Sequence, residues 1–165
     1  MEGLNNIITY TIPTIEKHNG EFILTCEIFI PRPIQEVFEF FANPNNLELI
    51  TPKLLQFKIT DAPTTPLEEG SIIDYKLKIH HIPIRWKTLI SKWNPPYSFE
   101  DTQLKGPYMQ WIHSHDFSEE NGVTKMKDVV RYKVFGGSLI NKIFVKKDVL
   151  KIFQHRTDFL IKYFN

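Results

Sequence analysis

The sequence predicts an α+β domain in which a strongly bent antiparallel sheet lies against one long C-terminal helix. Segments of strand length, rich in β-branched and aromatic residues, follow one another from Glu21 to Phe135 through turns of Pro, Gly and Asn. Strands joined by such short turns must be antiparallel. Helical periodicity is confined to two short pieces after the first strand and one long piece at the end of the chain, so helices are segregated rather than alternating with strands. In the long piece, Ser138 to Phe164, the residues Val145, Val149, Ile152, Arg156, Phe159 and Tyr163 recur at steps of four and three. That spacing draws one mostly apolar stripe down a helix of about seven turns.

Residues 1–20 close with Asn19-Gly20 and can form an edge strand or an arm. Glu21 to Ile30 (EFILTCEIFI) is the first strand, ended by Pro31 and Pro33. Ile34 to Phe41 has helical spacing with an acid near its start and stops at Asn43-Pro44, and a further helical turn runs from Asn45 to Ile50. Strands resume over Leu54 to Thr60. After the loop Ala62 to Pro66, Ile73, Tyr75, Leu77 and Ile79 alternate with Asp74, Lys76 and Lys78, the pattern of a sheet with one wet and one dry face. The turn His80 to Pro83 leads to a strand from Ile84 to Trp93, and Asn94-Pro95-Pro96 to another from Tyr97 to Leu104. A last hairpin, Tyr108 to Phe117 and Val123 to Phe135, turns through Glu120-Asn121-Gly122, where Asn-Gly favours a primed turn. The expected sheet therefore has seven strands, with two short helices between strands 1 and 2. Ser138 is the expected N-cap of the long helix, and Lys142, Lys146, Lys147, Lys151, Gln154 and Lys162 form its wet face.

A chain of 165 residues is expected to be one domain, residues 1–165 with a core over about 21–164. Twenty basic residues against 19 acidic ones leave a net charge of +1, which excludes a general nucleic-acid or anionic-surface field. A lone Cys26 cannot form an internal disulfide, and nothing after Met1 resembles a signal peptide, so a cytoplasmic location is expected. No window reaches the roughly 18 apolar residues of a membrane span, so no integral membrane association is expected. A monomer, or a weak homodimer through an exposed edge strand, fits this composition.

Strand parity places Met109, Trp111, His113, His115 and Phe117 on one face, and Thr124, Met126, Asp128, Val130, Tyr132 and Val134 on one face of the next strand; both sets point inward. If Asn121-Gly122 is a two-residue loop, Asp128 sits opposite His115; a shift of two pairs it with His113. Either way an acid meets an imidazole, and Arg156 can reach the same region to compensate it. The group reads either as a polar end to an apolar pocket, fixing a ligand's carboxylate, hydroxyl or carbonyl, or as a mutually satisfied tie between helix and sheet. An Asp-oriented His among His113, His115 and Asp128 could also serve as a general acid or base. No nucleophile stands beside the group, and catalysis is not expected. The same three could be drawn as zinc ligands, but an alternate-residue His pair without Cys argues against it, and no metal or cofactor is expected. Phe38, Phe41, Tyr75, Leu77, Trp111, Phe117, Ile152, Phe153 and Phe159 are the candidate apolar lining, with Tyr132 and Arg156 as polar contacts. Trp86 and Trp93 read either as core or as pocket lining, with the core reading favoured and room for one ring to face a cavity; His80-His81 reads as solvent-exposed.

The order strand, two short helices, six strands, long helix resembles the helix-grip fold of the SRPBCC superfamily, which includes START domains, Bet v 1-like proteins and polyketide cyclases. More narrowly, FIPRPIQEVFEFFANPNNL, WNPPYSFEDTQLKGPYMQWIHSHDF, DVVRY and IFQHR are similar to bacterial cyclase/dehydrase-like, ligand-binding SRPBCC proteins, above all in Trp111, His113, His115, Phe117, Asp128 and Tyr132. The resemblance implies a hydrophobic pocket for a lipid, a polyketide or another small apolar molecule. The expected function is binding of such a molecule, for transport or sensing. The rivals are a cyclase/dehydratase-like enzyme using the His and Asp groups and an interaction module with a vestigial cavity. A carrier requires a continuous apolar cavity of roughly 300 Å³ or more, opening near the short helices.

Overall fold

The computed structural model describes residues 7–63 and 66–165. Strands β1 (Thr9–Tyr10), β2 (Thr14–His18) and β3 (Glu21–Ile30) come first, followed by helices α1 (Ile34–Ala42) and α2 (Asn46–Ile50) and a 3-10 turn at Lys53–Leu55. Then come β4 (Lys58–Asp61), β5 (Ile72–Ile79), β6 (Ile82–Asn94), β7 (Ser98–Lys105), β8 (Gln110–Glu120) and β9 (Val123–Lys133). Helix α3 (Gly137–Ile140), a π turn (Asn141–Val145) and helix α4 (Lys146–Phe164) complete the chain. The strands form one antiparallel sheet in the order β1-β3-β9-β8-β7-β6-β5-β4, with β2 also on β3. The two strands beyond the expected seven are β1 and β2, which pair with the outer edge of β3. Their residues fall in the segment read as an edge strand or arm; of that segment, residues 1–6 lie outside the described residues, as do 64–65 of the Pro-Thr loop.

Alternation is strictest where the sheet is buried on one side. Phe22, Leu24, Cys26, Ile28 and Ile30 of β3 are buried, and so are Thr124, Met126, Asp128, Val130 and Tyr132 of β9, each facing its partner across the ladder. Irregular register between β4 and β5 and twice between β6 and β7 bends the sheet, because an extra residue on one strand increases local twist. At the α1 end, the backbone N–H of Ile34 donates to Glu119 Oε2 at 2.7 Å, so an acid from β8 satisfies one of the orphan donors of that helix. Val37, Phe38, Phe40 and Phe41 all point into the core, where Phe38 meets Trp93, Phe99 and Phe117.

The terminal helix departs from its expected form in two ways. It begins at Gly137, with Gly136 in the left-handed region at φ 77° as its cap; Ser138 does not cap it and instead accepts a hydrogen bond from Lys17 Nζ at 2.8 Å. A π turn over Asn141–Val145 then inserts an extra residue. Downstream the buried face is Val149, Phe153, Arg156, Thr157, Leu160 and Phe164, rotated from the expected stripe so that Tyr163 is exposed and Ile152 and Phe159 are half-buried. The rotation follows from where the helix packs. Its backbone runs against β2, β3 and α2, and Val149 and Phe153 close a core with Phe22, Leu24, Val130 and Tyr132. The concave face of β5 to β8 is left standing away from the helix, and a cavity remains between them.

Candidate functional site

The polar end of that cavity is built from two rows of cross-strand neighbours. In one row Cys26 of β3, Asp128 of β9, His115 of β8 and Phe99 of β7 stand side by side; in the next, Val130 of β9, His113 of β8 and Asp101 of β7 do. The Asn121-Gly122 loop, with φ 53° and 76°, sets this register and places Asp128 opposite His115, the first of the two pairings open to the sequence. Asp128 nonetheless reaches both imidazoles, since diagonal neighbours on one face are also within side-chain reach. His113 Nε2 lies 2.7 Å and His115 Nδ1 3.0 Å from Asp128 Oδ1. Arg156 Nη2 donates to the same oxygen at 3.2 Å and lies 3.3 Å from His115 Nδ1. Arg156 thus faces inward from α4, with its guanidinium 5.0 Å from the centre of the Phe41 ring.

Asp101, which sequence reasoning missed, completes the group: its Oδ2 lies 3.1 Å from His115 Nε2 and 3.6 Å from His113 Nδ1. The signal was available in β7, where Asp101 shares parity with the inward-facing Phe99. Packing holds the rings in place. Phe99 stacks on His115 with centroids 4.0 Å apart, and Phe153 meets His113 edge-on at 5.4 Å.

Burial and charge act on these groups in opposite senses. Burial disfavours a charged Asp128, but the Arg156 guanidinium and the two imidazoles outweigh it and hold the carboxyl well below the usual carboxylate range. Burial and the adjacent His115 lower the pKa of His113 despite Asp128. Burial also acts against protonated His115, yet its contacts with Asp101 and Asp128 prevail and raise its pKa. Cys26 Sγ sits 3.9 Å from Asp128 Oδ2, and burial together with that carboxylate pushes the thiol up, so it behaves as a small apolar residue rather than a nucleophile.

The cavity holds about 180 Å³. Of the residues nominated from sequence, Phe41, Tyr75, Leu77, Trp111, His113, His115, Ile152, Phe153 and Arg156 line it. The others do not. Phe38 and Phe117 are spent in the ring cluster beneath α1, and Phe159 packs on Phe40 and Tyr163. Asp128 stands behind the two imidazoles, and Tyr132 is wholly buried, donating its hydroxyl to Asn141 Oδ1 at 2.9 Å. Phe117 shares parity with the lining residues Trp111, His113 and His115 of β8, but its end of the strand lies beneath α1. Residues the sequence reading did not nominate also line the space, among them Phe40, Ile73, Thr88, Ile90, Phe99, Asp101 and Tyr108. Of the two readings open for the tryptophans, Trp86 takes the less favoured one and lines the cavity, stacked on Tyr75 and edge-on to Trp111, whereas Trp93 packs in the core against Phe38. Exposed Asn43 and half-exposed Leu47, Leu55 and Phe57 belong to the lining as well, so the cavity meets the surface beside the short helices. The volume is below the roughly 300 Å³ expected of a carrier and close to the ~150 Å³ of an apolar cavity that admits benzene.

Two buried donors have no hydrogen-bond partner among the described residues, Trp86 Nε1 and Arg156 Nε, and both side chains line the cavity. His80, expected in solvent, is exposed but pairs with Asp148 of α4 at 2.6 Å. Among the described residues, no helix is long and apolar enough to cross a membrane.

No protein-family model matches the chain, and no curated protein does. Solved structures do. Protein Ms6760 from Mycobacterium smegmatis is 15% identical, with a TM-score of 0.66 over 94% of this chain and 97% of that one. Ginseng major latex-like protein 151 from Panax ginseng is 14% identical, with a TM-score of 0.65 over 88% and 98%. CalU16 from Micromonospora echinospora is 12% identical, with a TM-score of 0.61 over 96% and 87%. At such identities the likeness concerns the fold alone, an antiparallel sheet wrapped around a long C-terminal helix in the helix-grip arrangement.

Proposed function

We propose that the protein binds a small apolar or amphipathic molecule carrying a hydrogen-bond acceptor, held within one domain over about residues 21–164. The observation that supports this best is an apolar cavity into which two side chains with unpartnered buried donors, Trp86 and Arg156, project. A buried donor left unpaired costs about 1–3 kcal/mol, so a ligand oxygen placed against either one recovers energy that pure packing forgoes. The volume favours a one- or two-ring molecule, or the polar end of a longer one whose remainder leaves at the rim beside Asn43 and Leu47. Binding is favoured over catalysis because His113, His115, Asp128 and Arg156 are engaged with one another.

Native mass spectrometry of freshly purified protein tests for a retained ligand. Calorimetric titration then compares naphthol with naphthalene. Naphthol should bind about 2–10-fold more tightly, the worth of one neutral hydrogen bond, and Trp86→Phe should reduce that preference. Leu77→Trp, which puts a bulkier ring into the cavity, should weaken binding of both. A clean apoprotein that takes up neither compound would leave the cavity vestigial and overturn the reading.

A further inference from the structure

We propose that Asp101, His113 and His115 form a binding site for one divalent transition-metal ion, of the zinc or cobalt kind, at the polar end of the cavity. The site is set by which nitrogen of each ring is already engaged. His113 Nε2 and His115 Nδ1 both face Asp128, so the opposite nitrogens, His113 Nδ1 and His115 Nε2, are turned to one point, and the Asp101 carboxylate stands there. One ligand atom from each of the three residues falls within 4.8 Å of the others. The individual spacings are the telling quantity. Three ligands at about 2.1 Å from one ion are separated by about 3.0 Å at right angles and 3.4 Å at the tetrahedral angle. Asp101 Oδ2 lies 3.1 Å from His115 Nε2 and 3.6 Å from His113 Nδ1, both near those spacings, and the two imidazoles, with centroids 3.8 Å apart at 37°, must splay for both nitrogens to point at one ion.

Asp128 is not a ligand here. It is the carboxylate behind the imidazoles, the partner that metal-binding histidines ordinarily have on their second nitrogen, and it is itself held by Arg156. Charge completes the case. Asp128 has its guanidinium, but Asp101 pairs with no lysine or arginine among the described residues, facing only the two imidazoles while lining an apolar cavity. Two nitrogens and one carboxylate suit a borderline cation better than calcium or magnesium, which favour all-oxygen sets. All three ligands line the cavity and Asp128 does not, so the remaining coordination positions open toward bound ligand or water. The site stands whether or not an organic molecule occupies the cavity.

The test uses the metal alone on chelator-stripped, full-length protein. Titration with Co²⁺ should give a visible d–d band saturating at one ion per chain and abolished by Zn²⁺. Asp101→Asn should weaken Zn²⁺ binding, measured by calorimetry, by more than the roughly 10–100-fold expected of the positioning change Asp128→Asn. His80→Ala, which breaks the exposed pair with Asp148, should leave it unchanged. In the wild-type protein, which carries no folding risk, Zn²⁺ should shift the ring resonances of His113 and His115 while sparing those of His18, His80, His81 and His155. Absence of a stoichiometric Co²⁺ band overturns the proposal, and so does full affinity in folded Asp101→Asn or a shift confined to the other four histidines. None of the three outcomes bears on naphthol binding, so the metal and ligand readings fail separately.

Discussion

Arg156→Met is the most informative perturbation, because it keeps the apolar stem and removes only the charged end. In the native protein Asp128 is 3% and Arg156 8% exposed, and their closest approach is 3.2 Å. Removing one partner of a buried pair costs about 3–5 kcal/mol, and in Arg156→Met the Asp128 carboxylate keeps only its two imidazole contacts. Asp128→Asn should cost a comparable amount by leaving a buried guanidinium without its counter-charge. The double variant carries neither charge, so its loss should fall short of the sum of the singles by roughly 1–3 kcal/mol. For a chain of this length each kcal/mol moves the melting temperature by about 2–4 °C, so Arg156→Met should melt roughly 6–20 °C lower. The assay is equilibrium urea unfolding of the four proteins by circular dichroism, with chelator present so that metal linkage does not enter. A single-variant loss under about 1 kcal/mol, the worth of an exposed pair, would refute the view that helix and sheet are tied through this charge. Strict additivity would refute it equally.

Phe38→Ala should cost about 3–5 kcal/mol, since its ring touches those of Trp93, Phe99 and Phe117 in a closed cluster, yet leave naphthol affinity unchanged in the folded fraction; urea unfolding paired with calorimetry reads both. In alkali, burial holds the phenols of Tyr75, Tyr108 and Tyr132 above the ordinary tyrosine range, Tyr132 to about 12. A folded-state pKa above the unfolded one keeps its contribution to stability below pH ~10 and loses it as pH rises toward the folded value. Melting temperature should therefore be flat to about pH 10 and fall beyond it, with the last phenol absorbance change coinciding with unfolding.

Period and punctuation carried the fold class. Strand alternation from Phe22 to Tyr132, the Asn121-Gly122 turn, and helical spacing confined to two places leave few arrangements besides a bent antiparallel sheet covered by a terminal helix. The meeting of His113 and His115 with Asp128 was legible for the same reason: side-chain direction along a strand has a period of two, so inward parity survives uncertainty in register. Three matters were legible only in part or not at all. The short strands β1 and β2 have little periodic signal and exist because the edge of β3 offers unpaired backbone groups. The buried face of α4 depends on the π turn and on which strands the helix rests against, neither of which its own spacing reveals. Asp101 was legible in part: its parity with Phe99 turns it inward, and the β7–β8 register brings it to the two imidazoles.

By itself, then, the sequence determined which side chains of the central strands β3, β8 and β9 face inward, because parity is a local property of the backbone. Only the tertiary structure decided which of those inward groups meet empty space and which meet one another. That depends on the distance between the helix and each strand of the curved sheet, and the distance is set by packing contacts far apart in the chain, not by any one segment.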